Sequence, residues 1–82
     1  MIQYKIDTLN LTTDGSVKSD CADITFFNSG TTTIILNNSL SIAAGTSISI
    51  TANVGEIDRT IYTYYFTGAG TNTLIVFRKI YI

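Results

Sequence analysis

At 82 residues, with five Lys and Arg, six Asp and Glu, no His and one cysteine, the chain is one small domain with a thin core: about 60–65% of its unfolded surface can be buried. The composition excludes a Ser-His-Asp triad, a His-ligated zinc site and an internal disulfide. A net charge of −1 leaves no footprint for a phosphate backbone, so no nucleic-acid partner is expected.

In chain order, the first residues alternate. Ile2, Tyr4 and Ile6 interleave with Gln3, Lys5 and Asp7, the period-two pattern of a half-buried strand. Leu9 and Leu11 continue with the parity shifted by one, which predicts a bend or bulge near Asp7–Thr8. Asp14-Gly15-Ser16 is a turn signal, and Val17, alone among Lys18, Ser19 and Asp20, reads as part of a surface connection. The opening MIQYKIDTLN has neither the basic nor the apolar region of a signal peptide. No apolar run approaches the ~18–20 residues that span a bilayer. The expectation is a chain made in a cytosol, with no membrane partner.

From Cys21 to Asn28 a strand carries Ile24 and Phe26 on one face and Thr25 and Phe27 on the other. Asn28-Ser29-Gly30 closes it, and Thr31–Leu36 runs back with Ile34 and Ile35 on opposite faces, so both sides of this strand pair meet apolar surroundings. After Asn37-Asn38-Ser39 come a short run, Leu40–Ala43, and a turn at Ala44-Gly45. Thr46–Thr51 then alternates Ile48 and Ile50 with hydroxyl residues. A loop around Gly55, Glu56 and Asp58 leads into Arg59–Thr67. Gly68-Ala69-Gly70-Thr71-Asn72 reads as a last hairpin loop before Thr73–Ile82. No helical period of useful length occurs. About seven short strands with turn signals every 8–12 residues predict an all-β fold, a small antiparallel β-sandwich of jelly-roll or Ig-like type, as a single domain over residues 1–82.

Charge is missing where edge strands usually carry it. No charged residue falls between Asp23 and Glu56 or between Arg59 and Arg78, and proline is absent. Edge strands are normally protected by Lys, Pro, bulges or covers. Strands this neutral predict edges occupied in an assembly, hence a homo-oligomer or a place on a larger particle.

Few residues invite chemistry. Asp14, Asp20 and Asp23, or Glu56 with Asp58, do not match the spacing of a calcium loop and read as solvated turns. Cys21 has no His partner and reads as a small core residue. Tyr62, Tyr64 and Phe66 form an aromatic stripe that fits a plain core, a protein interface or a sugar-stacking platform. Tyr4 and Tyr81 extend it if the first and last strands pair. No catalytic, cofactor-binding or metal-binding residue is expected, and no enzyme. Phe27, Ile35, Tyr62, Tyr64 and Phe77 are the expected outward contacts of an interface.

The succession I-T-F-F-N-S-G-T from Ile24, L-S-I-A-A-G-T-S from Leu40, G-E-I-D-R-T-I-Y from Gly55 and the aromatic strand after it resembles small β-sandwich virion proteins of tailed bacteriophages, notably phages of Bacteroidetes hosts. The likeness covers about residues 23–81. It implies a non-enzymatic decoration, connector or minor capsid protein, present in the virion in many copies and made in the host cytoplasm. A small carbohydrate-binding module using the Tyr62/Tyr64 face is the competing expectation.

Overall fold

The computed structural model describes all 82 residues. It contains eight strands and no helix: β1 (Tyr4–Leu11), β2 (Gly15–Lys18), β3 (Asp23–Asn28), β4 (Ile34–Leu36), β5 (Leu40–Ile42), β6 (Ser47–Ile50), β7 (Ile61–Phe66) and β8 (Leu74–Tyr81). Two four-stranded antiparallel sheets face each other, ordered β1-β8-β3-β6 and β2-β7-β4-β5. First pairs with last, second with seventh, third with sixth and fourth with fifth. The chain is therefore one long hairpin, folded at β4–β5 and rolled so that β8 also meets β3 and β7 also meets β4. That winding is a jelly roll; an immunoglobulin sandwich would place the second, fourth and fifth strands together.

The dimensions follow from this stacking. Four strands about 4.8 Å apart and two sheets about 10 Å apart fill the two short dimensions of 20 and 18 Å, so the 45 Å axis runs along the strands. Between the sheets lie Ile24 and Phe26 of β3, Leu74 and Val76 of β8, Ile34 and Leu36 of β4, Ile42 of β5, and Tyr62 and Tyr64 of β7. Phe26 and Tyr62 meet edge to face across the core, ring centres 5.1 Å apart.

Three expectations change. β2 is a strand, not a surface connection: Val17 sits opposite Tyr62 and is buried. A four-residue strand offers a single inward side chain, too little for a period to register. β1 has no bulge, and its pairing with β8 runs unbroken from Tyr4 to Leu11. The shift in parity marks a change of apolar face. Tyr4 and Ile6 point outward, whereas Leu9 and Leu11 point into the core. The inner face at the β1 start is polar because Asp7 meets Arg78 there. Finally, β3–β4 and β7–β8 are not hairpins, since each link crosses from one sheet to the other. The one hairpin is β4–β5, whose turn holds Asn37 and Asn38 at φ 51° and 57° and is closed by the Ser39 N–H donating to the Leu36 carbonyl.

The two ends of the sandwich differ in kind. Every charged side chain except that of Asp14 lies at the end where β1, β3 and β7 begin. Arg78 clamps that end: it donates through Nε (3.0 Å) and Nη2 (2.5 Å) to the Asp7 carboxylate, and through Nη1 (2.9 Å) to the Lys18 carbonyl in the other sheet. The opposite end is built from Thr, Ser, Gly, Asn and Ala. There the two crossing loops zip together, with Ser29 N–H donating to Thr73 O (3.2 Å), Thr31 N–H to Thr71 O (2.8 Å) and Thr67 N–H to Thr33 O (3.0 Å). The Thr32 hydroxyl adds a bond to the Asn72 side chain.

Candidate functional site

Side chains that alternate outward along β1, β8, β3 and β6 form the outer face of the first sheet. Register places Thr8, Phe77, Thr25 and Ser49 in one row across the strands, and Asn10, Ile75, Phe27 and Ser47 in the next. Towards the charged end follow Ile6 with Lys79 and Asp23, then Tyr4 opposite Tyr81. Ile6, Tyr4 and Phe77 are 57%, 54% and 39% exposed, while Phe27, Ile75 and Tyr81 are half-buried beside them. The result is an apolar band lying diagonally across three strands. Its far border is polar, where the Thr25 and Ser49 hydroxyls bond at 2.9 Å. The one ammonium within the band is tethered: Lys79 Nζ sits 4.6 Å above the Tyr4 ring and 3.9 Å from Asp23.

This band gathers part of the expected interface. Phe27 and Phe77 are diagonal neighbours on it. Ile35 lies on the outer face of the second sheet, half-buried between Ser41 and Tyr65 in the register. Tyr62 and Tyr64 correct the expectation, because both point into the core and are 6% exposed. Their strand belongs to a sheet whose inner face needs large apolar side chains opposite Phe26. Tyr4 and Tyr81 do pair, but on the outside of the other sheet, so the five tyrosines never form one surface. The platform that a sugar-stacking reading required is turned inward. Ile6 and Ile75 were the missed members of the band. Each was readable from strand parity, once the face of β8 that meets the core was known.

Polar chemistry concentrates around Asp58, between β6 and β7. Its carboxylate accepts the Tyr62 hydroxyl (2.7 Å), the Thr60 N–H (2.8 Å) and the Ser19 hydroxyl (3.1 Å). The fully buried Ser19 has one proton for this oxygen and for the Asp58 and Thr60 carbonyls, 2.6 and 2.9 Å away. A paired bridge between Cys21 and Asp58 completes the knot. Burial raises the Asp58 carboxyl, but the bonds from Tyr62, Thr60 and Ser19 outweigh it and hold it at about 2. Burial and the neighbouring Asp58 charge push the Cys21 thiol up to about 11, which makes it a packed thiol and a poor nucleophile. Burial and the bond to Asp58 raise Tyr62 to about 12. Such a knot joins β2 to β7 across the loops. Three of the other acids are occupied separately: Asp14 accepts the Phe66 N–H, Asp23 the Ala52 N–H and Glu56 the Asn53 N–H.

A depressed carboxyl stabilises the fold above its unfolded value of 3.8, and that contribution is lost as pH falls through about 2. It amounts to about 1–2 kcal/mol after solvent screening of a partly exposed group. Urea titrations at neutral pH should therefore show Asp58→Asn less stable than the parent by about that much. The gap between the two should close as the pH is lowered towards 2.

No cavity opens in the surface, and no three His, Cys, Asp or Glu side chains converge as metal ligands would. No helix is long and apolar enough to cross a membrane. No family model matches the chain, and no curated protein or solved structure is similar enough to it to count as a relative.

Proposed function

We propose that this protein is a non-enzymatic structural component of a phage particle, a decoration, connector or minor capsid protein, that self-associates or docks through the outer face of its first sheet. The observation that carries the reading is the band of Phe77, Ile6, Tyr4, Ile75, Phe27 and Tyr81. Solvated sheets normally alternate apolar-in with polar-out, and this one departs from that along the band, while Thr8, Asn10, Thr25, Ser47 and Ser49 keep the polar-out pattern beside it. Jelly rolls serve in viral capsids, and equally in lectins and cupins, so the fold supports the reading without choosing it. The sequence resemblance to virion proteins supplies the choice.

Sedimentation over a range of concentrations tests the contact. The mass should exceed the single-chain 8.9 kDa at micromolar protein. Phe77→Asp should lower that mass by weakening the contact about ten- to a hundredfold, the value of one buried aromatic ring. A mass insensitive to Phe77→Asp, with the protein absent from purified particles, overturns the proposal.

A further inference from the structure

We infer that β1 is a dimerisation edge, on which a second copy of this chain adds antiparallel with Ile6 opposite Ile6 of that copy. This rests on the self-association proposed above, but names a different surface and a register.

Four strands lie at sheet edges: β1, β6, β2 and β5. The last three are four, four and three residues long, and shortness is itself a protection against pairing. β1 has eight residues, no proline and no bulge. Its hydrogen-bonding parity follows from its far end, where the Ile82 N–H donates to the Gln3 carbonyl at 2.9 Å. In an antiparallel pair the directly opposed residues alternate between bonded and unbonded. Gln3, Lys5, Asp7, Leu9 and Leu11 therefore bond to β8, and Tyr4, Ile6, Thr8 and Asn10 direct their N–H and C=O groups away from the sheet. No backbone bond to these four occurs outside the sheet ladders.

Only registers that oppose even-numbered residues to even-numbered residues can use those groups. The charged pair on the inner face then selects among them. Centring on Lys5 or on Asp7 sets like charges against each other, and centring on Thr8 sets Lys5 and Asp7 against Leu11 and Leu9. Centring on Ile6 sets Lys5 against Asp7 of the second copy, twice by symmetry. Lys5 has no ion-pair partner within the chain, and Asp7 engages Arg78 through Oδ2 alone. Ile6 then meets Ile6 and Tyr4 meets Thr8 on the outer side, so the apolar band continues across the join into an eight-stranded sheet.

A cysteine on the two-fold crosslinks to itself. Opposed bonded residues stand about 5.5 Å apart at Cα, within disulfide reach. Under mild oxidation Ile6→Cys should give a covalent dimer and Thr8→Cys should not; the native Cys21 is fully buried and stays silent. In a Phe77→Asp background, a two-chain species should persist at about 100 μM protein and fall to one chain with Ile6→Pro, whose lost N–H faces away from β8. Lys5→Glu should weaken that dimer about tenfold in low salt, and less in 1 M salt. Crosslinking at Thr8→Cys in place of Ile6→Cys, or a two-chain species indifferent to Ile6→Pro, overturns the inference. Either result leaves the Phe77 contact standing.

Discussion

Gly30→Ala should lower the unfolding free energy by about 3 kcal/mol or more, a third or more of what a domain of this size commonly has. A Cβ on Gly30 would lie 2.2 Å from the Thr71 carbonyl oxygen and 2.9 Å from the Thr73 nitrogen. Both are backbone atoms of the opposing loop, so no rotamer change relieves the collision. To make room, the loops must part, breaking the Ser29–Thr73 and Thr31–Thr71 bonds that close the neutral end. Gly68→Ala is the matched control, because its Cβ would meet only the Thr32 methyl at 3.5 Å, an ordinary contact. Urea midpoints should put Gly68→Ala within about 1 kcal/mol of the parent, on either side. Equal midpoints for the two variants would mean that the loop pair yields easily.

Asn28→Ala should cost a comparable amount, about 3–4 kcal/mol. Asn28 is fully buried at the end of β3, and its amide makes three bonds. Nδ2 donates to the Thr32 carbonyl (2.7 Å) and the Ile42 carbonyl (2.9 Å), and Oδ1 accepts the Gly30 N–H (3.0 Å). β3 lies in one sheet and Ile42 ends β5 in the other, so a single side chain stitches the sheets at the neutral end. Truncation strands three polar partners, each worth about 1–3 kcal/mol if left dry. Asn28→Asp separates hydrogen bonding from volume. An ionised carboxylate would face two carbonyl oxygens, so its pKa rises in the folded state, and stability must fall as pH rises through the ordinary carboxylate range. Chemical denaturation at pH 4 and pH 7 reads this directly. A variant equally stable at both would show that water had entered the site.

The strands themselves were legible because period-two alternation is a local property. Ile48 with Ile50, and Tyr62 with Tyr64, lie on one face wherever the strand ends up. Which partner a strand takes is not local. Asn28-Ser29-Gly30 and Gly68-Ala69-Gly70 carry the residues of a hairpin turn, yet both belong to sheet-crossing loops, since tight reversal and close backbone approach ask for the same side chains. Inward and outward were undecided for the same reason. Tyr62 and Tyr64 face the core only because β7 sits between β2 and β4, with Phe26 opposite. Of the expected contacts, Phe27 and Phe77 fall on the apolar band and Ile35 on the other sheet. The knot around Asp58 had no sequence signal, because its members Ser19, Cys21, Asp58 and Tyr62 are spread over two distant segments.

The pairing of the first strand with the last has a consequence for how the chain reaches this state. β8 is a central strand, flanked by β1 and β3, and it is the last to be synthesised. Until it emerges, β1 has no neighbour and β3 has only β6, so half of the sandwich waits on β8. Only the β4–β5 turn joins neighbours in the chain; every other pairing closes a long loop before any contact offsets the lost entropy. Folding should therefore be slow for the size, in the millisecond-to-second range of β-rich topologies, with the neutral strands Ile34–Ile50 exposed to other nascent chains in the interval.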